Sequence, residues 1–228
     1  MARGEMSRHS SIDMGELLMM QERERFLSRL LRGQGIEPAG ELRAFEAAQS
    51  PGETLGLWAK WGARPENLAG LALEGGESAR PGQIAGMRIH TSGTDRIPEP
   101  DQHFDLALAF TLFSSVPDED VAQGIARELF RITRPGGLIV VYDMRRQSPG
   151  NPNVHPVAED DIRRWFPKCP LRTRSITLAP PIARFVGRYA PWLYGSLAAI
   201  PPLRTHAMYV LRRPATPPFG VVNTTGGR

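Results

Sequence analysis

Residues 104–143 decide the fold, and they read FDLALAFTLFSSVPDEDVAQGIARELFRITRPGGLIVVYD. The first seven form an apolar strand, and apolar side chains then recur at helical spacing from 118 to 134. Acidic residues lie in the first turn of that helix and arginines in its last turn, an order that suits the helix dipole. Pro135-Gly136-Gly137 ends the helix, and residues 138–142 (LIVVY) follow as a strand. Because that strand is apolar throughout, it is predicted to be buried on both faces of a parallel sheet.

Strands and helices alternate along the rest of the chain as well. Further helices are predicted at 13–32, 54–63, 159–165 and 182–199, the last interrupted by Pro191, and further strands at 42–47, 67–73, 87–91, 172–178 and 205–212. This order predicts an α/β fold, a doubly wound and mostly parallel Rossmann-like sheet of seven strands with helices on both faces. Such sheets bind ligands beyond the carboxyl ends of their strands.

The domain organisation follows from where this alternation stops. Residues 1–214 are predicted to form a single domain, in which the N-terminal helix at 13–32 caps the site. Residues 215–228 (ATPPFGVVNTTGGR) are rich in proline and glycine and have no period, which predicts a mobile tail.

Composition excludes several classes of protein. The chain has 228 residues, of which 41% are apolar and 23% charged, so it can bury a sizeable core. It has no run of about eighteen apolar residues that would span a membrane, and its first residues lack the apolar stretch of a secretory signal. The one cysteine, Cys169, excludes a disulfide framework and a Cys-rich zinc site. We therefore expect a cytoplasmic protein without a metal centre.

The net charge of +4 raises the question of nucleic-acid binding. Arginines are spread from Arg3 to Arg228 and are interleaved with acids as far as Asp161. Beyond Asp161 the chain has ten arginines, one lysine and no acidic residue. A solvated face or a site for an anionic small substrate is favoured there over a nucleic-acid surface.

Residues 104–143 resemble the second half of the class I S-adenosylmethionine-dependent methyltransferases. In that family a strand beginning Phe-Asp is followed by a loop, an amphipathic helix, Pro-Gly-Gly and an apolar strand. A small bacterial branch of the family is also similar in the segments QERER (21–25), AKWGARPENLAGL (59–71), SPGNPNV (148–154), TLAPPIAR (177–184) and LRTHAMYVLRRP (203–214). The resemblance implies methyl transfer with S-adenosylmethionine as the cofactor.

The first cofactor motif of the family departs from its pattern here. The family has an acid followed by Gly-x-Gly-x-Gly at the end of the first strand, where the backbone approaches the cofactor closely. The alignment places this motif on residues 46–52, with Glu46 as the acid and Gly52 as the last glycine. The first two glycines are replaced by Ala48 and Ser50, and Pro51 stiffens the turn.

Two further cofactor determinants also depart from the family. The acid that accepts the ribose hydroxyls aligns with Ala72, with Glu74 two residues further on. The turn whose acid binds the adenine amino group aligns with Ser92-Gly93-Thr94, with Asp95 two positions late. The cofactor-binding residues implied by the resemblance are Glu46, Ala48, Ser50, Gly52, Leu73, Glu74, Thr94, Asp95 and Phe110. Phe110 packs either on the adenine or in the core. Two lost charge-assisted hydrogen bonds, each about 1.5–3 kcal/mol, weaken affinity by roughly two to four powers of ten.

Five residues are candidates for the substrate side. Asp143 follows the apolar strand, so it either orients a substrate hydroxyl, acts as a general base or caps a loop. Arg145 and Arg146 either hold an anionic substrate or are solvated. His155 and His206 are either general bases or structural residues.

Two functions stay open at this point. The first is S-adenosylmethionine-dependent methyl transfer to a small-molecule or glycan- or lipid-type acceptor, with a divergent cofactor pocket. The second is a catalytically inactive binding or regulatory subunit of the same fold, either a homo-oligomer or paired with an active relative. The apolar, arginine-edged segment around Trp192 and Tyr194 suits a lipid-linked or glycan acceptor, or simple core packing.

Overall fold

A computed structural model describes residues 13–37, 40–48, 51, 53–73, 86–92, 96–147 and 155–215. The α-helices are α1 (Met14–Gly33), α2 (Glu53–Lys60), α3 (Glu119–Ile132), α4 (Glu159–Trp165), α5 (Pro180–Tyr189) and α6 (Tyr194–Ala198). The strands are β1 (Ala44–Ala48), β2 (Leu68–Leu73), β3 (Arg88–Ser92), β4 (Phe104–Phe110), β5 (Thr133–Met144), β6 (Leu171–Leu178) and β7 (Arg204–Arg212). Each predicted strand is present.

The strands form one seven-stranded sheet in the order β3-β2-β1-β4-β5-β7-β6. Strands β1 to β5 pair in parallel, and β7 runs antiparallel to β5. The predicted α/β fold with a mostly parallel sheet is therefore confirmed. The strand order reverses at β1, which lies between β2 and β4, and ligands of such sheets bind beyond the carboxyl ends of the strands at this point.

Strand β5 begins five residues earlier than the apolar pattern predicts. Thr133 pairs with Phe104 directly after α3, and the register shifts before Leu106 pairs with Leu138. Asp105 stabilises this irregular start, because its carboxylate accepts a hydrogen bond from the Arg43 amide (2.9 Å) and pairs with Arg134 (2.5 Å). The Phe-Asp and Pro-Gly-Gly parts of the sequence thus belong to one local structure that joins β1, β4 and β5.

The chain divides into two compact units, each with its own apolar core. The first unit combines residues up to Leu30 with Ser175–Thr205, and its core contains Leu178, Ala183, Val186, Tyr194 and Ala198. The second unit comprises Leu31–Arg174 and the chain from His206 onward. Its core lies between one face of the sheet and helices α3 and α4.

Two predictions about domain organisation are not tested by the structure. These are the single domain over 1–214 and the capping of the site by the helix at 13–32, although that helix itself is present as α1. Of the predicted tail at 215–228, all but Ala215 lies outside the described residues. Within the described part of the chain, no helix combines the length and apolar character needed to cross a membrane.

Candidate functional site

The carboxyl ends of β2, β1, β4 and β5 place four side chains in one row. Ala48 of β1 is in register with Ala72 of β2 and with Phe110 of β4, and Phe110 is in register with Tyr142 of β5. In-register residues of parallel strands point to the same face of a sheet. The structure therefore brings together Ala48, Ala72 and Phe110, which the sequence comparison had selected from three separate segments.

The turn from β1 to α2 lies beside this row. Strand β1 ends at Ala48 and α2 begins at Glu53, so the first crossover is the strand–turn–helix that the sequence comparison requires. Pro51 in this turn is buried, and a Cβ atom added to Gly70 would lie 3.0 Å from the Pro51 Cβ. The missing side chain at Gly70 gives Pro51 room to pack on β2, which fixes the course of the turn at this point.

Glu46 lies inside β1 and not at its end, in register with Gly70 and Leu108. Its side chain is buried and points to the same face as Ala48, two residues further along the strand. Two residues of strand correspond to about 7 Å. Glu46 is thus set back from the row by that distance, so its role near the cofactor stays a prediction.

Three aromatic rings lie side by side at the carboxyl ends of β4 and β5. The rings of Phe110 and Tyr142 meet edge to face with centroids 5.7 Å apart. Tyr142 in turn stacks on His206 of β7, with centroids 5.0 Å apart and an interplanar angle of 7°. We call Phe110, Tyr142 and His206 the edge ring cluster. Sequence reasoning missed Tyr142, although its place at the end of the LIVVY strand, opposite Phe110, was the available signal.

Asp143 points to the other side of β5 from Tyr142, because successive residues of a strand alternate between faces. Its side chain is 0% exposed, and it accepts hydrogen bonds from the backbone amides of Ser114 (3.1 Å) and Met144 (2.9 Å). Burial raises the pKa of Asp143 to about 6, although hydrogen bonds from Ser114, Met144 and Phe113 act in the opposite direction.

This geometry bears on the expectation that Asp143 meets a substrate at the edge of the sheet, which stays a prediction. A general base must reach the proton that it removes, whereas this carboxylate is enclosed and bonded to the protein. It fastens the short 3₁₀ turn Phe113–Ser115, which follows β4. The structure thus favours the loop-cap interpretation of Asp143 over the catalytic one.

The same turn contacts one more of the predicted substrate-side residues, His155. The backbone amide of His155 donates to the Ser114 carbonyl (2.9 Å), and the His155 side chain is exposed. Arg145 is half-buried, and its Nε atom is buried without a hydrogen-bond partner among the described residues. Arg146 is exposed. Of the predicted substrate-side histidines, His206 belongs to the edge ring cluster and His155 to this turn.

The remaining predicted site residues divide into two groups. Leu73 is the half-buried last residue of β2, in register with Ser92. Five predicted cofactor residues lie outside the described residues: Ser50, Gly52, Glu74, Thr94 and Asp95.

Among the residues that are described, no group of three His, Cys, Asp or Glu side chains is arranged to hold a metal ion. Burial raises the pKa of the Cys169 thiol to about 11, so the thiol is protonated at neutral pH.

Thr111 carries backbone strain at the end of β4. Its φ is +46°, in the left-handed region that β-branched residues rarely adopt. Its amide donates to the Tyr142 carbonyl (2.7 Å) and its hydroxyl donates to the Phe110 carbonyl (2.9 Å). Strain of this kind costs on the order of 1–3 kcal/mol and is often found at functional sites.

Replacing Thr111 with asparagine is expected to raise the free energy of unfolding by about 1 kcal/mol, because asparagine tolerates the left-handed region. Urea denaturation measures the change. The matched control is Thr111→Val, which keeps the branched Cβ and loses the hydroxyl, and we expect it to be no more stable than the wild type. If the asparagine variant unfolds at the same urea concentration as the valine variant or at a lower one, the backbone at Thr111 is not strained.

A family model described as a methyltransferase domain matches residues 55–141, from α2 to Val141 within β5. The matched segment contains Ala72 and Phe110, two of the four positions of the row, and the turn that Asp143 fastens. This segment of the chain is therefore similar to the methyltransferase-domain family. A search of curated proteins gave no match.

Solved structures of methyltransferases share the fold of this chain. A proposed sarcosine dimethylglycine methyltransferase from Galdieria sulphuraria has a TM-score of 0.61 at 14% identity, with 85% of this chain and 86% of that chain covered. An S-adenosylmethionine-dependent methyltransferase from Mesorhizobium loti gives 0.54 at 18% identity, covering 81% and 96%. Phosphoethanolamine N-methyltransferase 2 from Haemonchus contortus, solved with S-adenosyl-L-methionine, gives 0.56 at 10% identity, covering 84% and 52%. At these identities the likeness shows the fold alone.

Proposed function

We propose that this protein transfers a methyl group from S-adenosylmethionine to a small-molecule or glycan- or lipid-type acceptor. The observation that carries this proposal is the row of Ala72, Ala48 and Phe110 at the point where the strand order reverses. Ligands of doubly wound sheets bind there. Of the described positions that the sequence aligns with the family's cofactor site, Ala48, Ala72 and Phe110 lie together at this edge of the sheet.

The side chains of the row suit the apolar surfaces of S-adenosylmethionine, such as the adenine ring, better than its polar groups, such as the ribose hydroxyls. The methyl side chains of Ala48 and Ala72 allow a close approach to the strand ends, and the Phe110 ring offers an aromatic surface to adenine. Ala72, however, supplies no hydrogen bond where the family has a carboxylate for the ribose. We propose that Phe110 and Leu73 hold the nucleoside mainly through apolar contact, with correspondingly lower affinity.

When bound, the cofactor supplies a methyl group on a sulfonium, which is already activated for transfer. The protein therefore mainly has to align the acceptor and exclude water. We propose that Asp143 contributes by positioning the turn at Phe113–Ser115, and not by proton transfer. On the other face, the imidazole of His206 stacks on Tyr142, and we propose it as the group that takes a proton from the acceptor.

Arg145 supports an anionic group on the acceptor. Its buried Nε–H lacks a protein partner among the described residues, and a buried donor without a partner is costly. A phosphate or carboxylate of the acceptor would satisfy it. Because this interpretation needs only a small anionic molecule, we continue to favour it over nucleic-acid binding, and we propose that the protein acts in the cytoplasm.

The second candidate function is an inactive binding or regulatory subunit, either self-associated or paired with an active relative. The replacement of the ribose acid by Ala72 and of a motif glycine by Ala48 favours it. Both functions use the same fold, so they differ only in whether methyl transfer occurs.

Methyl-labelled S-adenosylmethionine, incubated with the protein and a cell extract, separates the two functions. The extract is divided afterwards into small-molecule, glycan and lipid fractions. We expect label in one fraction, and we expect His206→Ala to reduce its rate of appearance by about 100-fold. If the protein binds the cofactor but the label in every fraction stays at the level of a protein-free control, the inactive subunit is favoured.

A further inference from the structure

The first unit exposes three large aromatic side chains on one side of α5 and just after it. Phe185 is 66% exposed, Tyr189 64% and Trp192 79%. Phe185 and Tyr189 are one helical turn apart and their ring centroids are 5.0 Å apart, while Trp192 follows in the 3₁₀ turn Pro191–Leu193. We call these three residues the aromatic face. Exposed clusters of this kind mark interaction sites.

The opposite side of α5 is packed so tightly that the aromatic face cannot turn inward. Ala183, Val186 and Gly187 are buried there. A Cβ atom added to Gly187 would lie 2.3 Å from the Gly15 amide nitrogen of α1, and one added to Gly15 would lie 2.5 Å from the Ala183 carbonyl oxygen. These two backbones are in direct contact, which fixes the rotation of α5 and leaves the rings in solvent.

The charged side chains of α5 itself, beside the aromatic face, are all positive. Arg184 and Arg188 lie on the same exposed side of α5, and the helix has no acidic residue. Arg184 pairs with two carboxylates at the start of α1, Glu16 (2.9 Å) and Asp13 (3.9 Å). Arg188 makes no ion pair with any described residue, and its guanidinium lies 5.4 Å from the centroid of the Tyr189 ring. Arg188 thus leaves an uncompensated positive charge next to the rings.

We propose that the aromatic face docks this protein on the surface of an anionic lipid bilayer. Tryptophan and tyrosine prefer the membrane–water interface, and an amphipathic helix with arginines lies in its plane with its apolar side among the headgroups. Anionic lipids attract the arginine beside the rings. Helix α5 offers no carboxylate or amide side chain that could fix the register of a protein partner, so the lipid surface is favoured over a protein.

Vesicle binding tests this proposal separately from methyl transfer. The full chain is mixed with phosphatidylglycerol-containing vesicles or pure phosphatidylcholine vesicles and sedimented. We expect at least about fivefold tighter binding to the anionic vesicles, since one arginine near the surface contributes about 1 kcal/mol. Trp192 is the most exposed of the four tryptophans, so a blue shift of tryptophan fluorescence on binding is also expected.

Two variants locate the binding surface. Replacing all three residues of the aromatic face with serine is expected to weaken binding at least about tenfold and to remove the blue shift. Arg188→Glu is expected to weaken binding at least about fivefold. Its matched control, Arg172→Glu, makes the same charge change at an exposed position of β6 and is expected to have a smaller effect.

Three results would overturn the proposal. The first is equal binding to both kinds of vesicle, and the second is an equal loss from Arg188→Glu and Arg172→Glu, which would indicate net charge alone. The third is no vesicle binding by the wild type. If, in that case, the serine variant also abolishes self-association, the aromatic face is a contact between copies of the chain. Thermal melting checks that each variant is folded.

Discussion

Asp143→Ala is expected to lower the free energy of unfolding by about 3 kcal/mol or more. The change removes the acceptor of the Ser114 and Met144 amides at a position that is fully buried. Each buried donor left without a partner costs about 1–3 kcal/mol, and the cavity adds to the loss. Urea denaturation at neutral pH measures the effect, and the turn at Phe113–Ser115 should lose its protection from hydrogen exchange first.

The pH dependence of this residue has a definite sign. Its pKa of about 6 in the folded protein lies above the usual value of 3.8, so the folded state binds the proton more tightly than the unfolded chain does. The contribution of Asp143 to stability is therefore greatest below pH 4 and decreases between about pH 4 and pH 6. Tyr209 is a neighbouring group: burial raises its pKa most, and the charge of Asp143 raises it further.

Asp143→Asn is the matched control, because it keeps the shape and cannot ionise. The difference in unfolding free energy between the wild type and this variant should fall by roughly 3 kcal/mol from pH 4 to pH 7, at about 1.36 kcal/mol for each pH unit. A stable alanine variant that has lost methyl transfer would contradict the positioning role and restore Asp143 as a catalytic residue.

Ala72→Asp is expected to increase the affinity for S-adenosylmethionine at least about tenfold, because it restores a charge-assisted hydrogen bond of about 1.5–3 kcal/mol to the ribose. Ala72 is fully buried, so the new carboxylate has no protein partner built for it. We therefore expect the variant to melt at a lower temperature than the wild type without ligand. When the ligand is added, the melting temperature of the variant should rise by more than that of the wild type.

The control for this variant is Ala72→Asn, which has nearly the same size and lacks the charge. It should bind the cofactor less tightly than the aspartate variant, because an amide cannot accept both ribose hydroxyls. An affinity equal to that of the wild type in both variants would show that residue 72 does not face the ribose, and the alignment of β2 with the family would then be wrong.

The fold could be predicted because its signals are local and repeated. The apolar runs of β4 and β5, the helical period of α3 and the Pro-Gly-Gly break each indicate one element without help from distant residues. The convergence of Ala48, Ala72 and Phe110 was also accessible, since parallel strands that end together place their last residues side by side. In this chain the register confirms that convergence.

The orientation of Asp143 could not be predicted, for a physical reason. The strand that precedes it is apolar at every position, so its periodicity does not reveal which residues face which side, and a shift of one residue exchanges the faces. The stacking of His206 on Tyr142 depends on the antiparallel register of β5 with β7, which is a contact between distant segments.

The segment around Trp192 and Tyr194 shows the same limit of the sequence. Both residues suited either core packing or an acceptor site, and the structure separates them. Tyr194 is buried and its hydroxyl donates to Glu22 (2.7 Å), whereas Trp192 is the most exposed of the large apolar residues described. A difference of two residues in a segment of short helical turns decides between core and surface, and composition does not contain that information.

We propose that the row at the carboxyl ends of β2, β1 and β4 holds an adenosyl group although Ala72 stands where the family has an acid. Isothermal titration calorimetry of the wild-type protein with S-adenosylmethionine and with S-adenosylhomocysteine tests this claim most directly. We predict binding of both ligands with dissociation constants in the micromolar range. The absence of any heat of binding at millimolar ligand would contradict it.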